Sequence, residues 1–427
     1  MNSMQNKLEN NNIRLFEILL SVYYLWFFLP FMRTTYGGIY KYIFFAFFLM
    51  GVALLVVENI HTYGLTAKVK QTIVAPILVY MAFMTFLFLF DIQEARDHIR
   101  VSFTFWGTAL VYYFMGVTPG SRRRFAKLLI VLAVFTLITS SIVIWDDPRA
   151  ARALTNSTQT NETIAEDYYL GRKNVSSIYL FQCLAAVSPI FVVLIKKKHA
   201  FLGLLGLILS FAILLKASFL IAVCVMVLGI VLALVQNEKS NVITFLISSI
   251  FVIVAFFMPW SEILSFLADK INNDTISARL DELSVWFKSG SATGDMQQRL
   301  DAYKISISTI LRNPLGVGPY YFSSVAKRLI GKHSQIIDDV ARYGVAALAF
   351  YWVFFRRYYA LIKEKWSKIG YGSVVGPIVI AYIALLVLNI GFRSAEESAI
   401  MLFILPEIPE IVLYRKRKKE LRERNGY

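Results

Sequence analysis

The chain has 427 residues, 57% of them hydrophobic and 15% aromatic, with 44 Lys and Arg against 28 Asp and Glu. Apolar runs long enough to cross about 30 Å of hydrocarbon recur from Leu15 to Leu413, which excludes a soluble globular domain. The formal net charge of +16 sits mostly in short loops between those runs, as membrane topology requires, so it does not imply a nucleic-acid partner.

With almost no charge in the runs, every backbone group must be satisfied within helices. The alternating strands of about ten residues that a membrane β-barrel needs are absent. The expected fold is an all-α polytopic membrane protein of about twelve transmembrane helices, with one large extracytoplasmic loop containing short amphipathic helices. Cys183 and Cys224 both lie in apolar runs and give neither a disulfide framework nor a metal site.

In chain order, polar Met1–Asn12 lacks a cleavable signal pattern, and Leu15–Phe31 reads as a retained signal anchor. Spans follow at Ile39–Val57, Ile73–Phe90, Ile99–Val117 and Phe125–Trp145. Beyond the polar loop Asp146–Asn174 come Val175–Ile195, Phe201–Leu215, Phe219–Val235 and Val242–Met258, completing a first bundle over residues 1–259. The 36-residue apolar run Ala200–Val235 is too long for one span and suits two joined by a tight turn. The large loop, residues 260–339, holds amphipathic stretches at Leu300–Leu311 and Tyr321–Ile330. Residues 340–414 supply the last spans, Val340–Phe355, Val374–Ile390 and Ser398–Leu413, and 415–427 form a basic tail.

The basic clusters fall in alternate loops. They are Lys68/Lys70, Arg122–Arg124 with Lys127, Lys196–Lys198, Lys239, Arg356/Arg357 through Lys368, and the tail Arg415–Lys419. The positive-inside rule then places both termini in the cytoplasm and the two long loops outside.

On that outer side the chemistry concentrates in a few residues. Lys216, the only charge in the run Ala200–Val235, reads either as a snorkelling interfacial Lys or as a cation facing an anionic ligand. Arg299 opens a helical pattern that Pro314 stops, and Gly316 and Gly318 permit unusual dihedrals. Of four histidines, His333 alone sits where the large outer loop meets a span. His suits proton acceptance near neutral pH, and Arg suits a diphosphate. Together they fit a transfer in which a hydroxyl loses its proton and a pyrophosphate leaves; a loop-stabilising Arg and an interfacial His are the plain alternative.

Arg299 to Gly344 resembles the O-antigen ligase and Wzy-type polysaccharide polymerase superfamily. Members carry an Arg before an amphipathic helix, a Pro-x-x-Gly-x-Gly turn (here Pro314, Gly316 and Gly318), and then a His-x10-Gly pattern (here His333 to Gly344). Gly171-Arg172-Lys173-Asn174 is similar to the family segment that follows the smaller outer loop. Two departures stand out: Phe219 occupies the place of an expected Arg, and Ser334 follows the His where Asn is common. Lys216 lies three residues before Phe219, on roughly the same helical face, and would supply the missing charge.

The resemblance implies a GT-C-type glycosyltransferase of the bacterial cytoplasmic membrane, acting on an undecaprenyl-diphosphate-linked oligosaccharide. Arg299, Lys216 and Arg172 would hold the diphosphate, and His333 would orient or deprotonate the acceptor hydroxyl. Inversion without a covalent intermediate is expected, with no cofactor and no metal, since no Asp-x-Asp pair offers a divalent site. Asp338 and Asp339 read as the acidic start of the next helix, or as groups that position His333. Partners would be membrane lipids, a chain-length regulator and a flippase. A polymerase is favoured over a ligase that transfers the glycan to a lipid A core.

A transporter or flippase of the same glycolipid is the competing class, disfavoured because the spans look free of charge. A scaffold protein would not need Arg299 and His333 at this spacing. A RodA-like peptidoglycan polymerase would instead rely on Asp281, Asp295 or Asp301.

Overall fold

The computed structural model describes residues 13–63, 74–88, 105–148, 150, 161–176, 178–197, 199–217, 219–236, 259–270, 274–289, 294–318, 328–392 and 394–424. Among the described residues every regular element is helical. The first half comprises α1 Leu15–Phe28, α2 Pro30–Thr35, α3 Tyr40–Tyr63, α4 Val74–Phe88, a helical stretch at 105–114, and α5 Pro119–Asp146. The middle comprises α6 Asn161–Arg172, α7 Ile178–Val187, α8 Pro189–Lys196, α9 Ala200–Lys216 and α10 Leu220–Val235. In the large loop lie α11 Trp260–Lys270, α12 Asp274–Ser289 and α13 Gly294–Arg312. Then come α14 Gln335–Ser367, α15 Val375–Leu388, α16 Ala395–Ser398, a π-helical stretch Ala399–Ile404, and α17 Leu405–Arg424.

Among the described residues four stretches are long and apolar enough to cross a membrane by length and composition: Tyr40–His61, Pro119–Asp146, Ile178–Lys196 and Gln335–Ser367. Shorter apolar helices, including α1, α9 and α10, accompany them. The expected span Val242–Met258, the start of the one at Ile99, and most of the amphipathic stretch Tyr321–Ile330 lie outside the described residues.

The surface of α5 is arranged for a lipid solvent. Val131, Val134, Phe135, Ile138 and Ile142 are exposed at helical spacing, while Ser121, Thr136 and Ser140 are buried. A helix that turns aliphatic side chains outward and hydroxyls inward is the reverse of a soluble amphipathic helix.

Proline explains most departures from the expected boundaries. Extended Leu29 precedes Pro30, so the first span ends at Phe28 and resumes as α2. Pro119, at N1, starts α5 six residues earlier than expected, which brings Arg122–Arg124 into the helix. Pro189 divides Val175–Ile195 into α7 and α8. Helix α14 begins before Val340 and runs on through Arg356 and Arg357 to Ser367, and α17 carries the last span on into the basic tail.

Contacts sort the helix ends into two groups. At the basic end, Arg14 pairs with Glu58, Arg124 reaches Glu17 at 2.7 Å, and Lys196 Nζ donates to the Ala233 and Leu234 carbonyls at 2.8 Å. At the other end, which carries the long loops, Ser176 Oγ donates to Glu396 at 2.9 Å and Arg33 lies 3.5 Å from the same carboxylate. Between them runs an aromatic core in which Tyr80 stacks on Phe350 with centroids 3.9 Å apart, and Trp106 meets Phe350, Phe354 and Phe392 edge to face.

Glu407, inside the expected span Ser398–Leu413, is 0% exposed, a correction to the expectation that the spans are free of charge. Just before that span Glu396 is 0% exposed and Glu397 is 2% exposed. Each is held by partners from other helices. Glu407 lies 2.8 Å from Arg122 and 3.6 Å from Lys365, and Tyr382 OH donates to Glu397 at 2.9 Å. Such pairing is what allows ionisable groups to sit inside an apolar bundle.

Candidate active site at the loop end of the bundle

Helix α13 ends where Pro314 breaks it, and the turn that follows plugs a gap in α14. Gly344 interrupts α14 with φ 60° and ψ −145°, a conformation essentially reserved for glycine. The break withdraws the Val345 N–H and leaves the Ala341 and Arg342 carbonyls without their helical donors. The turn supplies all three partners: Val345 N donates to Pro314 O at 3.0 Å, Val317 N to Ala341 O at 3.1 Å, and Gly318 N to Arg342 O at 2.8 Å. A Cβ on Gly316 (φ +90°) would stand 2.2 Å from Arg342 O, and one on Gly344 would stand 2.3 Å from Pro314 O. The glycine motifs are therefore two halves of one backbone joint.

His333 sits half-buried in the turn 331–334, directly before α14. Lys332 takes φ 64°, and the whole turn is clasped by Ser306 and Asp338. Ser306 Oγ accepts from Gly331 N at 2.8 Å and donates to Asp338 Oδ1 at 2.6 Å; Asp338 Oδ2 accepts from Ser334 N at 3.0 Å. Ser334 caps α14 by accepting from Ile337 N at 3.0 Å. Asp338 thus sits in the first turn of the helix and also shapes the loop that carries His333.

Arg299 lies on α13 about two turns before Ser306. Its Nη1 donates to Asn389 Oδ1 at 3.2 Å, while the Asn389 carbonyl accepts from Gln335 N at 3.0 Å. Asn389 therefore bonds both to Arg299 and to the helix start two residues after His333. Tyr303 OH donates to the Leu388 carbonyl at 2.6 Å. Burial raises the Tyr303 phenol above its ordinary pKa, against the lowering influence of the Arg299 guanidinium, so it remains a neutral donor.

The other proposed cations occupy a second corner. Lys216 ends α9 with Nζ 5.5 Å from the Trp145 ring centroid. Arg172 is exposed and lies over Tyr168 at 5.8 Å. Asn174 takes φ 57° in a Schellman turn, with Val175 N donating to Leu170 O at 3.1 Å and Asn174 N to Gly171 O at 2.9 Å. Leu170, Val175, Phe181, Leu214, Ala217 and Phe219 share one apolar cluster, so these two turns pack together. Helices α11 and α12 connect this corner to α13.

Phe219 corrects the expectation that Lys216 replaces a family Arg on the same helical face. Helix α9 stops at Lys216 and α10 starts at Leu220, so no helical face joins the two positions. Phe219 is buried, with its ring 5.7 Å from Phe181.

Sequence reasoning missed Asn389, Ser306 and the Asp339 network. Asp339 is buried and accepts from Gln335 Nε2 at 2.7 Å, Arg342 Nη1 at 3.0 Å and Tyr351 OH at 2.6 Å. The available signals were a polar Asn ending an apolar run, and Ser306 at helical spacing from Arg299 and Tyr303. No protein-family model matches the chain, and no curated protein matches it.

Proposed function

We propose that the chain is a Wzy-type polymerase of a surface polysaccharide in the bacterial cytoplasmic membrane, with its termini inside and its site outside. It moves a glycan from undecaprenyl diphosphate to the sugar hydroxyl of a lipid-linked repeat unit. The observation that carries this reading is Asn389, which ties Arg299 to the start of the helix that follows His333. A permanent cation on a braced helix and an imidazole on a braced turn suit a displacement at an anomeric carbon.

In that reaction His333 takes the proton of the acceptor hydroxyl as its oxygen attacks the anomeric carbon from the face opposite the diphosphate. The bond from that carbon to the diphosphate oxygen breaks, and the leaving diphosphate carries away the electron pair. Arg299 meets the charge that develops there. Lys216 and Arg172, at the neighbouring corner, hold the donor rather than the reacting centre. The configuration inverts, and no covalent enzyme intermediate forms.

Reconstitution with purified lipid-linked repeat units, followed by gel separation of the products, tests the reading. A ladder of lengths is the expected result. Product that forms only when a terminal lipid acceptor is added would instead identify a ligase.

The buried carboxylates of the last segment favour one second reading, a glycolipid flippase or transporter, because that class places paired charges inside the bundle. Movement of labelled glycolipid across liposomes without any change in its mass would select it.

A further inference from the structure

Helices α11 and α12 form a hairpin stitched by Ser284 Oγ to the Ser261 carbonyl at 2.8 Å and by Ser277 Oγ to the Ala268 carbonyl at 3.0 Å. Among its described residues the buried apolar core is Ala268 and Leu280, which rest on Leu215 near the end of α9 and Leu220 at the start of α10. On α11, Ile263, Phe266 and Leu267 recur at helical spacing, with Lys270 at the end of the same face, its Nζ 5.8 Å from the Phe266 ring centroid, and Ser265 turned away from it. Phe266 remains 61% exposed and Leu267 40% exposed.

Leu215 and Leu220 set the depth of the hairpin. They flank Lys216, whose ammonium lies over exposed Trp145. A Trp and a snorkelling Lys at helix ends mark the boundary between hydrocarbon and water. Outward-facing Leu204, Ile208 and Phe211 of α9 lead along the bundle surface to the same level. Leu215 continues that row at helical spacing, so the hairpin rests on the end of the lipid-facing surface of α9.

We propose that the α11–α12 hairpin is seated in the headgroup–acyl boundary of the leaflet at the loop end, with Phe266 and Leu267 immersed in lipid. Helices of this kind lie in the interface plane with the apolar face buried by about 5–10 Å. The occupant of this face is the bilayer itself. The inference depends on membrane embedding and not on any glycan-transfer activity.

The test places a bimane fluorophore on Phe266→Cys, Leu267→Cys or Ser265→Cys in a Cys224→Ser background, since Cys183 is buried and Cys224 is exposed. Each protein is inserted in nanodiscs of phosphatidylethanolamine and phosphatidylglycerol containing lipids brominated near the headgroup. Quenching several-fold stronger at positions 266 and 267 than at 265 is expected. Quenching at 266 and 267 no stronger than at 265 overturns the proposal. Two independent label sites keep the test usable should one variant fail to fold.

Discussion

Gly316 and Gly344 meet backbone to backbone: a Cβ on Gly316 would stand 2.7 Å from Gly344 N, and one on Gly344 would stand 2.6 Å from the neighbouring Leu315 Cα. The joint locks the helix bearing Arg299 to the helix that follows His333. Gly344→Ala should lower the melting temperature of the protein in detergent, because the left-handed dihedral alone costs about 1–3 kcal/mol and the Cβ displaces the turn. An unchanged melting temperature would mean that the joint is not tight.

The Asp338–Ser306 clasp gives a second expectation. Asp338→Asn and Ser306→Ala each leave a buried backbone N–H or hydroxyl without an acceptor, at about 1–3 kcal/mol. Both should insert normally in membranes and lose polymer formation about a hundredfold, the scale of a 1 Å misplacement of a reacting group. Membrane levels by immunoblot beside polymer yield check this, and normal yield from both would remove the clasp from the mechanism.

Much of this site was legible in the sequence, but not its assembly. Glycine at 316, 318 and 344 signals unusual dihedrals, and Pro314 signals a helix end. That the two segments complete one another's hydrogen bonds is a tertiary fact that neither segment contains. Three-residue spacing puts Lys216 and Phe219 on one face only in an unbroken helix, and here a turn separates α9 from α10. Glu407 escaped notice because a hydropathy window averages it against its Ile and Leu neighbours, and Glu396 and Glu397 fall just before the expected span. The counter-charges, Arg33 for Glu396 and Arg122 and Lys365 for Glu407, lie in other segments.

Lys216 lies over Trp145 at the corner assigned to donor binding. Lys216→Ala should raise the KM for the lipid-linked donor roughly tenfold or more, as expected for losing a charge-assisted contact, while leaving kcat close to wild type. Lys216→Arg should retain donor use. A KM unchanged in Lys216→Ala would leave this Lys as an interfacial anchor only.

At the basic end, Arg122 faces Glu407, which is fully buried. Arg122→Ala should destabilise the protein by about 3–5 kcal/mol, since it removes the nearest partner of a buried carboxylate. Adding Glu407→Gln should recover part of that loss. Thermal unfolding followed by Trp fluorescence reads both, and an Arg122→Ala protein as stable as wild type would contradict the pairing.

The central claim is that Arg299 and His333 form one reaction centre. Its most direct test is polymer synthesis by purified His333→Ala and Arg299→Ala in liposomes supplied with lipid-linked repeat units, beside the wild type. The account predicts a product ladder from the wild type and none from either variant, with all three folded and inserted equally. A ladder of near-wild-type intensity from both variants would contradict it.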